Sequence, residues 1–156
     1  MPSHTSQTLL AATPPQAYDY LTVPACWHEW HAASLGTVPD SRMSQPAGAT
    51  FEENIRTAGF RRRLHWRVAA AVRPQYWEGE ARMADGSRVR LRYDFAASGD
   101  GTVFTRTLEY SVKPLWLRLV DALFGRFRIR RETAVALRKL QQRFAAGEGQ
   151  VSVAAD

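Results

Sequence analysis

Hydrophobic and polar residues alternate with a period of two along the middle of the chain. Between Arg88 and Ala96, for example, Val89, Leu91 and Tyr93 alternate with charged residues. This alternation predicts antiparallel strands with one covered face and one solvated face. Four such segments are bounded by Gly, Pro or Asp-Gly: 50–57, 61–72, 75–84 and 88–96. Three more segments, 3–12, 34–38 and 102–112, bring the predicted sheet to about six or seven strands.

Two short helices are predicted after the first strand. Thr13 is a suitable N-cap, and Pro14 and Pro15 suit a first helical turn because its N–H groups lack helical partners. This helix should run to about Leu21 and stop near Pro24. A second short helix is predicted over 25–31, and 40–48 is predicted to be a loop.

The period changes after Pro114. Apolar residues then recur at spacings of three and four as far as Phe144, which predicts a long helix, bent or broken at Gly125. We expect residues 147–156 to form a disordered tail. A long meander with one long helix to cover it should curl around that helix. We therefore predict one α+β domain over 1–146, in which a curved antiparallel sheet wraps a long C-terminal helix.

Composition adds few constraints. The 156 residues carry a net charge of +6, and arginine supplies nearly all of the excess. Cys26 is the only cysteine, so an intramolecular disulfide is excluded and a reducing compartment is favoured. The N-terminus has no basic lead before its short apolar run, and no segment approaches the roughly 20 apolar residues of a membrane span. We expect a cytoplasmic protein.

Several short segments carry a family resemblance. They are Ala12 to Leu21, then Pro24 and Trp30, then Gly48-Ala49-Thr50-Phe51, and finally Leu137, Leu140 and Phe144. Together with the element order, they resemble the START-like (SRPBCC) superfamily and, within it, the polyketide cyclase/dehydratase-type proteins, over about 3–146. The resemblance implies a helix-grip fold with a cavity between sheet and helix that takes lipids, sterols, polyketides or other apolar molecules. Some members are cyclases or dehydratases and others only bind, so the shared fold does not transfer an activity.

The inward positions of the strands and of the terminal helix are the candidate ligand contacts. Small residues such as Gly79 and Ala81 opposite large aromatic residues should leave room for a ligand. The alternative is that the aromatic side chains pack together as an ordinary core. The predicted contacts are Trp66, Trp77, Met83, Leu91, Tyr93, Phe95, Arg106, Tyr110, Leu123, Phe127 and Arg130.

Polar residues at inward positions are the most informative, because buried polar groups require partners. Arg106 lies between two apolar inward positions, Arg130 lies along the apolar stripe of the helix, and Glu53 shares a strand face with Phe51. Either arginine could hold a ligand carboxylate or enolate through two parallel hydrogen bonds. The alternatives are an internal Glu53–Arg106 ion pair, or arginines that extend to solvent at the rim.

Other chemistries find little support. His28 and His31 are spaced by three residues but lack a third ligand nearby, so no metal site is expected. No phosphate-binding loop or nucleophile elbow appears, and we expect no cofactor. The arginine stripe at 88, 90 and 92 faces glutamates on the preceding strand, so we interpret it as a solvated sheet face rather than a nucleic-acid surface.

The predicted function is binding, and possibly transport, of an apolar or amphipathic small molecule such as a lipid, isoprenoid or polyketide-like compound. One alternative is a polyketide cyclase/dehydratase-type enzyme. A further alternative is a basic module that contacts RNA or, through the amphipathic segment 114–131, the periphery of an anionic membrane. Nothing in the sequence names the ligand or fixes the oligomeric state.

Overall fold

The computed structural model describes residues 1–57, 59–113 and 126–146. Its elements follow the predicted order closely, and the strands differ from their predicted bounds by only a few residues. In chain order they are β1 (Ser3–Leu10), α1 (Pro14–Leu21), a 3-10 turn (Pro24–Cys26), α2 (Trp27–Trp30), β2 (Ser34–Val38), β3 (Thr50–Thr57), β4 (Phe60–Val72), β5 (Tyr76–Arg82), β6 (Arg88–Ser98), β7 (Gly101–Ser111) and α3 (Arg126–Ala145).

The described strands form one antiparallel sheet in the order β1-β7-β6-β5-β4-β3-β2. The first strand therefore pairs with the last, and β2 forms the opposite edge. The sheet curls into a half-barrel, and α3 packs against β1 and α2 inside the curl. The curved sheet around a C-terminal helix is thus confirmed.

The N-terminal cap predicted for α1 is present in full. The Gln16 backbone N–H donates to Thr13 Oγ1 at 3.4 Å, and the Thr13 N–H donates to Gln16 Oε1 at 3.0 Å. This capping box satisfies two N–H groups that the helix itself leaves unpaired. The buried face of α1 then packs across β6, where Tyr18 lies 5.2 Å from Phe95 between ring centroids.

The core below the curl is built around Trp27 of α2. Its ring lies 5.6 to 6.3 Å from four other aromatic rings, with steep interplanar angles that suit edge-to-face contact. Those rings belong to Phe51, Trp66, Trp77 and Tyr93. The Trp27 indole N–H donates to the Leu21 carbonyl at 2.9 Å, which ties α2 to the end of α1.

The expectation of free space at Gly79 was wrong. A Cβ built there would lie 2.6 Å from Cη2 of Trp77 and 3.2 Å from Cε3 of Trp66. Trp77 is fully buried, so its indole already occupies the space above the glycine. Glycine is required here for packing and does not open a cavity.

The prediction of which terminal-helix residues face the sheet was also wrong in part. The buried face of α3 is formed by Thr133, Ala136, Leu137, Leu140 and Phe144. Phe127 lies about 120° around the helix from Thr133 and is 75% exposed, and Arg130 is exposed too. The first half of the predicted helix, with Leu123 and the bend at Gly125, lies outside the described residues, as does the tail 147–156.

Gly79 gives a test of this packing. We expect Gly79→Ala to lower the free energy of unfolding by about 1 to 3 kcal/mol, because the new methyl group overlaps a fully buried indole. Urea unfolding followed by circular dichroism measures the change. Trp77→Phe removes the overlapping ring atoms, so the double variant should lose less stability than the sum of the single variants. A Gly79→Ala variant as stable as the wild type would contradict this account.

Candidate ligand-binding cavity

A cavity of about 360 Å³ lies between the concave face of the sheet and the first turns of α3. Strands β3, β4, β6 and β7 supply most of its lining, and α2 and α3 close the remaining sides. Most of the lining side chains are aliphatic or aromatic.

The lining side chains follow the period of the strands. On β6 and β7 the register pairs Tyr93 with Arg106, Leu91 with Leu108 and Val89 with Tyr110. The first pair, together with Glu53 and its hydrogen-bond partner Trp66, forms a polar and aromatic floor. The aliphatic lining residues of the four strands form an aliphatic belt, and the last inward-facing lining residue toward the ends of β3 and β7 and the starts of β4 and β6 forms an outer layer at the rim. The belt residues are Ile55, Leu64, Leu91 and Leu108, and the outer-layer residues are Thr57, Arg62, Val89 and Tyr110. On β3 and β4, Leu64 lies opposite Glu53 and Ile55 opposite Arg62, so the belt directly adjoins polar groups there.

The rim lies at the end of the half-barrel where strands β3, β5 and β7 end and strands β4 and β6 begin. Exposed Arg88 and the half-buried Arg62 and Arg128 lie there. Arg62 is paired with Asp85 at 3.0 Å, and Arg128 is paired with Glu132 at 2.8 Å. Ion pairs therefore neutralise two of the three arginines at the rim.

Arg106 is the principal charged group of the floor. It is 6% exposed, and its Nη1 donates to Thr133 Oγ1 at 3.5 Å. Its Nε has no hydrogen-bond partner, and no carboxylate of the described residues lies within 4.0 Å of the guanidinium. The alternative of an internal Glu53–Arg106 ion pair is therefore not formed.

Glu53 lies on the same floor, 5% exposed. Its Oε2 accepts a hydrogen bond from the Trp66 indole N–H at 2.9 Å. Burial raises the pKa of the Glu53 carboxyl, while the nearby Ser34 hydroxyl, the hydrogen bond from Trp66 and the charge of Arg106 oppose this rise in part. A carboxyl group with a raised pKa at a cavity wall can act as an acid or a base.

His31 is a lining residue that the sequence suggested only as a metal ligand. It follows α2, and its ring lies 5.8 Å from that of Trp30 between centroids. Burial lowers the pKa of His31 to about 3, and the charge of Arg106 contributes to the shift. The imidazole is therefore neutral at physiological pH. Among the described residues, no group of three His, Cys, Asp or Glu side chains could hold a metal ion.

Six of the sequence-predicted contacts line the cavity, and four of the described ones do not. The six are Trp66, Met83, Leu91, Tyr93, Arg106 and Tyr110. Trp77 and Phe95 face inward but lie in the packed core, where Trp77 donates to the Gln45 carbonyl at 3.2 Å. Phe127 and Arg130 are exposed on α3, and Leu123 lies outside the described residues. Ligand contact at the six lining residues remains a prediction.

Helices α2 and α3 and the residue after α2 supply lining residues that the sequence interpretation missed. They include Trp30, His31, Ile129 and Thr133. Ile129, Thr133 and Leu137 follow one another at intervals of four residues. This spacing indicates that they share one face of the helix.

Ion pairs cover the outer face of the sheet. Arg90 contacts Glu80 at 2.7 Å, and Arg92 contacts Glu78 at 3.2 Å and Asp94 at 2.8 Å. The two glutamates are the cross-strand partners that the alternating pattern predicted for the arginine stripe. In the described parts of the chain, no helix is both long enough and apolar enough to cross a membrane.

Residues 1–145 match the family model described as polyketide cyclase/dehydrase and lipid transport. The chain belongs to this family. Solved structures also confirm the START-like helix-grip fold, whereas no curated protein matches the chain in sequence. Family and fold together support the binding or cyclisation of an apolar ligand.

Three solved structures show the extent of the likeness. The protein TTHA0849 from Thermus thermophilus has a TM-score of 0.77 at 14% identity, covering 94% of this chain and 99% of that one. A START superfamily protein from Mycobacterium smegmatis gives 0.69 at 14%, covering 92% and 97%. The di-domain ARO/CYC StfQ from the steffimycin biosynthetic pathway gives 0.71 at 16%, covering 94% of this chain and 51% of that one. At these identities the likeness establishes the fold alone.

The pKa of His31 predicts a pH dependence of stability. Between its ordinary value of 6.5 and about 3, the unfolded chain binds a proton that the folded chain does not. The free energy of unfolding should therefore fall as the pH drops through this window, by up to about 1.4 kcal/mol per pH unit from this group. Above pH 6.5 its contribution is complete.

Urea unfolding at pH values of about 7 and 5, on either side of the ordinary histidine pKa, measures this slope. His31→Gln should reduce the loss of stability between the two pH values, whereas His28→Gln, which changes an exposed histidine, should leave it unchanged. Equal slopes for the wild type and His31→Gln would show that the imidazole is not held neutral by its surroundings.

Proposed function

We propose that this protein binds an apolar or amphipathic small molecule in the cavity between the curved sheet and α3. The observation that carries the proposal is an unfilled volume of about 360 Å³ with an aliphatic belt around its middle. Membership of a family described by cyclisation, dehydration and lipid transport supports the same conclusion. Transport would be one use of such binding.

The size of the cavity favours a compact ligand. Pockets for small molecules span about 300 to 1,000 Å³, so this one is near the lower end. Such a volume suits one short acyl chain, an isoprenoid unit or a small fused-ring compound, and it is too small for a two-chain phospholipid. Burial of the apolar part of the ligand supplies roughly 25 cal/mol per Å² of surface removed from water.

A bulky substitution in the lining tests the proposal. N-phenyl-1-naphthylamine is a neutral, apolar dye that becomes fluorescent in apolar surroundings, and we expect the wild-type protein to bind it. Val89→Trp places an indole in the outer layer of the cavity and should abolish most of the dye binding. Val72→Trp is the matched control, because Val72 lies at the end of β4 away from the cavity.

Thermal unfolding of both variants verifies that each one folds. Dye binding that is unchanged in Val89→Trp, or absent from the wild type at micromolar protein, would overturn the proposed function.

A polyketide cyclase/dehydratase-type activity is the second candidate, favoured by one arrangement on the cavity floor. Arg106 offers a guanidinium that can stabilise a developing enolate, and Glu53 offers a carboxyl that can transfer a proton. Both groups are buried and line the same cavity, where electrostatic effects are stronger than in water. Tyr93, directly opposite Arg106 in the β6–β7 register, is a further donor.

Turnover of a poly-β-keto thioester, followed by mass spectrometry, tests this activity. An enzyme that uses Glu53 should lose about a hundredfold or more in rate in Glu53→Gln while still binding the naphthylamine dye. Glu52→Gln is the control, since Glu52 lies on the outer face of the same strand and pairs with Arg63 and His65. Absence of turnover by the wild type leaves binding as the function, and equal rates for Glu53→Gln would remove Glu53 from the chemistry.

A further inference from the structure

Among the residues that the structure describes, the guanidinium of Arg106 has no anionic partner. It lies 6% exposed at the innermost lining position of β7, and no described carboxylate is within 4.0 Å of it. An arginine offers five N–H donors in a rigid fork, yet among the described residues this one donates to the neutral hydroxyl of Thr133, and the residue opposite it in the register is the neutral Tyr93. A buried cation without a counter-ion is costly, so an anionic acceptor in the cavity would stabilise this arrangement.

In the described part of the chain, the groups around Arg106 are not anionic partners in contact with it. His31 is neutral because its pKa is lowered to about 3, and the pKa of the half-buried His4 on β1 is lowered as well. Burial raises the pKa of Tyr93, and that of Glu53, whose Oε2 already accepts from Trp66. Among the described residues, the floor of the cavity therefore holds a buried cation with no carboxylate in direct contact with it.

A second unpaired donor lies on the same lining. The indole Nε1 of Trp30 has no hydrogen-bond partner, although Trp30 is 1% exposed. The next inward pair after Tyr93 and Arg106 is apolar, since Leu91 and Leu108 face each other across β6 and β7. A ligand that satisfies this arrangement has one strong acceptor at the floor and an apolar body that extends toward the rim.

We propose that the ligand carries a carboxylate, which Arg106 binds at the floor of the cavity while the apolar remainder lies along the aliphatic belt toward the rim. The inference rests on the proposed function and adds the chemical class and the direction of the ligand. The two parallel N–H groups of a guanidinium match the two oxygens of a carboxylate. An alcohol of the same length fills the belt equally well but cannot make this charged pair.

Isothermal titration of the wild-type protein with decanoate and with 1-decanol near neutral pH separates the two parts of the proposal. We expect both probes to bind, decanoate more tightly by roughly ten- to a hundredfold. Arg106→Met should remove this preference and leave decanol binding intact, since methionine keeps much of the length of the side chain without its charge. Arg90→Met removes a charge from the outer face and should leave the preference unchanged.

The outcomes are distinct. If neither probe binds the wild type, the proposed function fails. If both probes bind the wild type equally, an apolar site stands and the carboxylate inference falls, with no variant needed. If Arg88→Met removes the preference and Arg106→Met does not, the carboxylate lies at the rim, and the proposed orientation is overturned.

Discussion

One helix has to cover most of the concave side of a seven-stranded sheet, and the structure follows from this constraint. Antiparallel strands with strong alternation carry apolar side chains on one face, and that face must be removed from water. Near the bottom of the curl, α1 and α2 complete the cover, and Trp27 joins four other aromatic rings there. Above this cluster the first turns of α3 face the sheet, and the space that they leave is the cavity.

Much of the fold is predictable because it depends on local signals. Period-two alternation and the Asp85-Gly86 pair indicate the strands and the β5–β6 hairpin, and Thr13-Pro14-Pro15 indicates the start of α1. The phase of α3 is harder to predict, since Phe127 and Leu137 both fit an apolar stripe by spacing alone. Which of them is buried depends on where the sheet ends, and that is a long-range property.

The candidate site shows a related limit. Alternation states which face of a strand a residue occupies, but not how deep it lies along the curl. Trp77 and Phe95 face inward as predicted, yet they lie below the cavity in the packed core. Gly79 shows the opposite error. Its lack of a side chain suggested free space, but the side chain of Trp77, two residues earlier, fills that space. His31 lies in the connection between α2 and β2 and lines the cavity from there. The two-residue period of the strands does not predict the position of such a connection.

Binding and catalysis would use the same floor, and they differ in which group acts. An arginine stabilises a bound carboxylate and a transient enolate by the same charged hydrogen bonds, so Arg106, which no described carboxylate contacts, is compatible with both functions. A cyclase or dehydratase must also move protons, and the buried carboxyl group suited to that step on the described floor is Glu53. A pure carrier has no use for proton transfer there, and for it the hydrogen bond between Glu53 and Trp66 would serve only to position the indole. The chemical role of the cavity therefore depends on Glu53 more than on the arginine beside it.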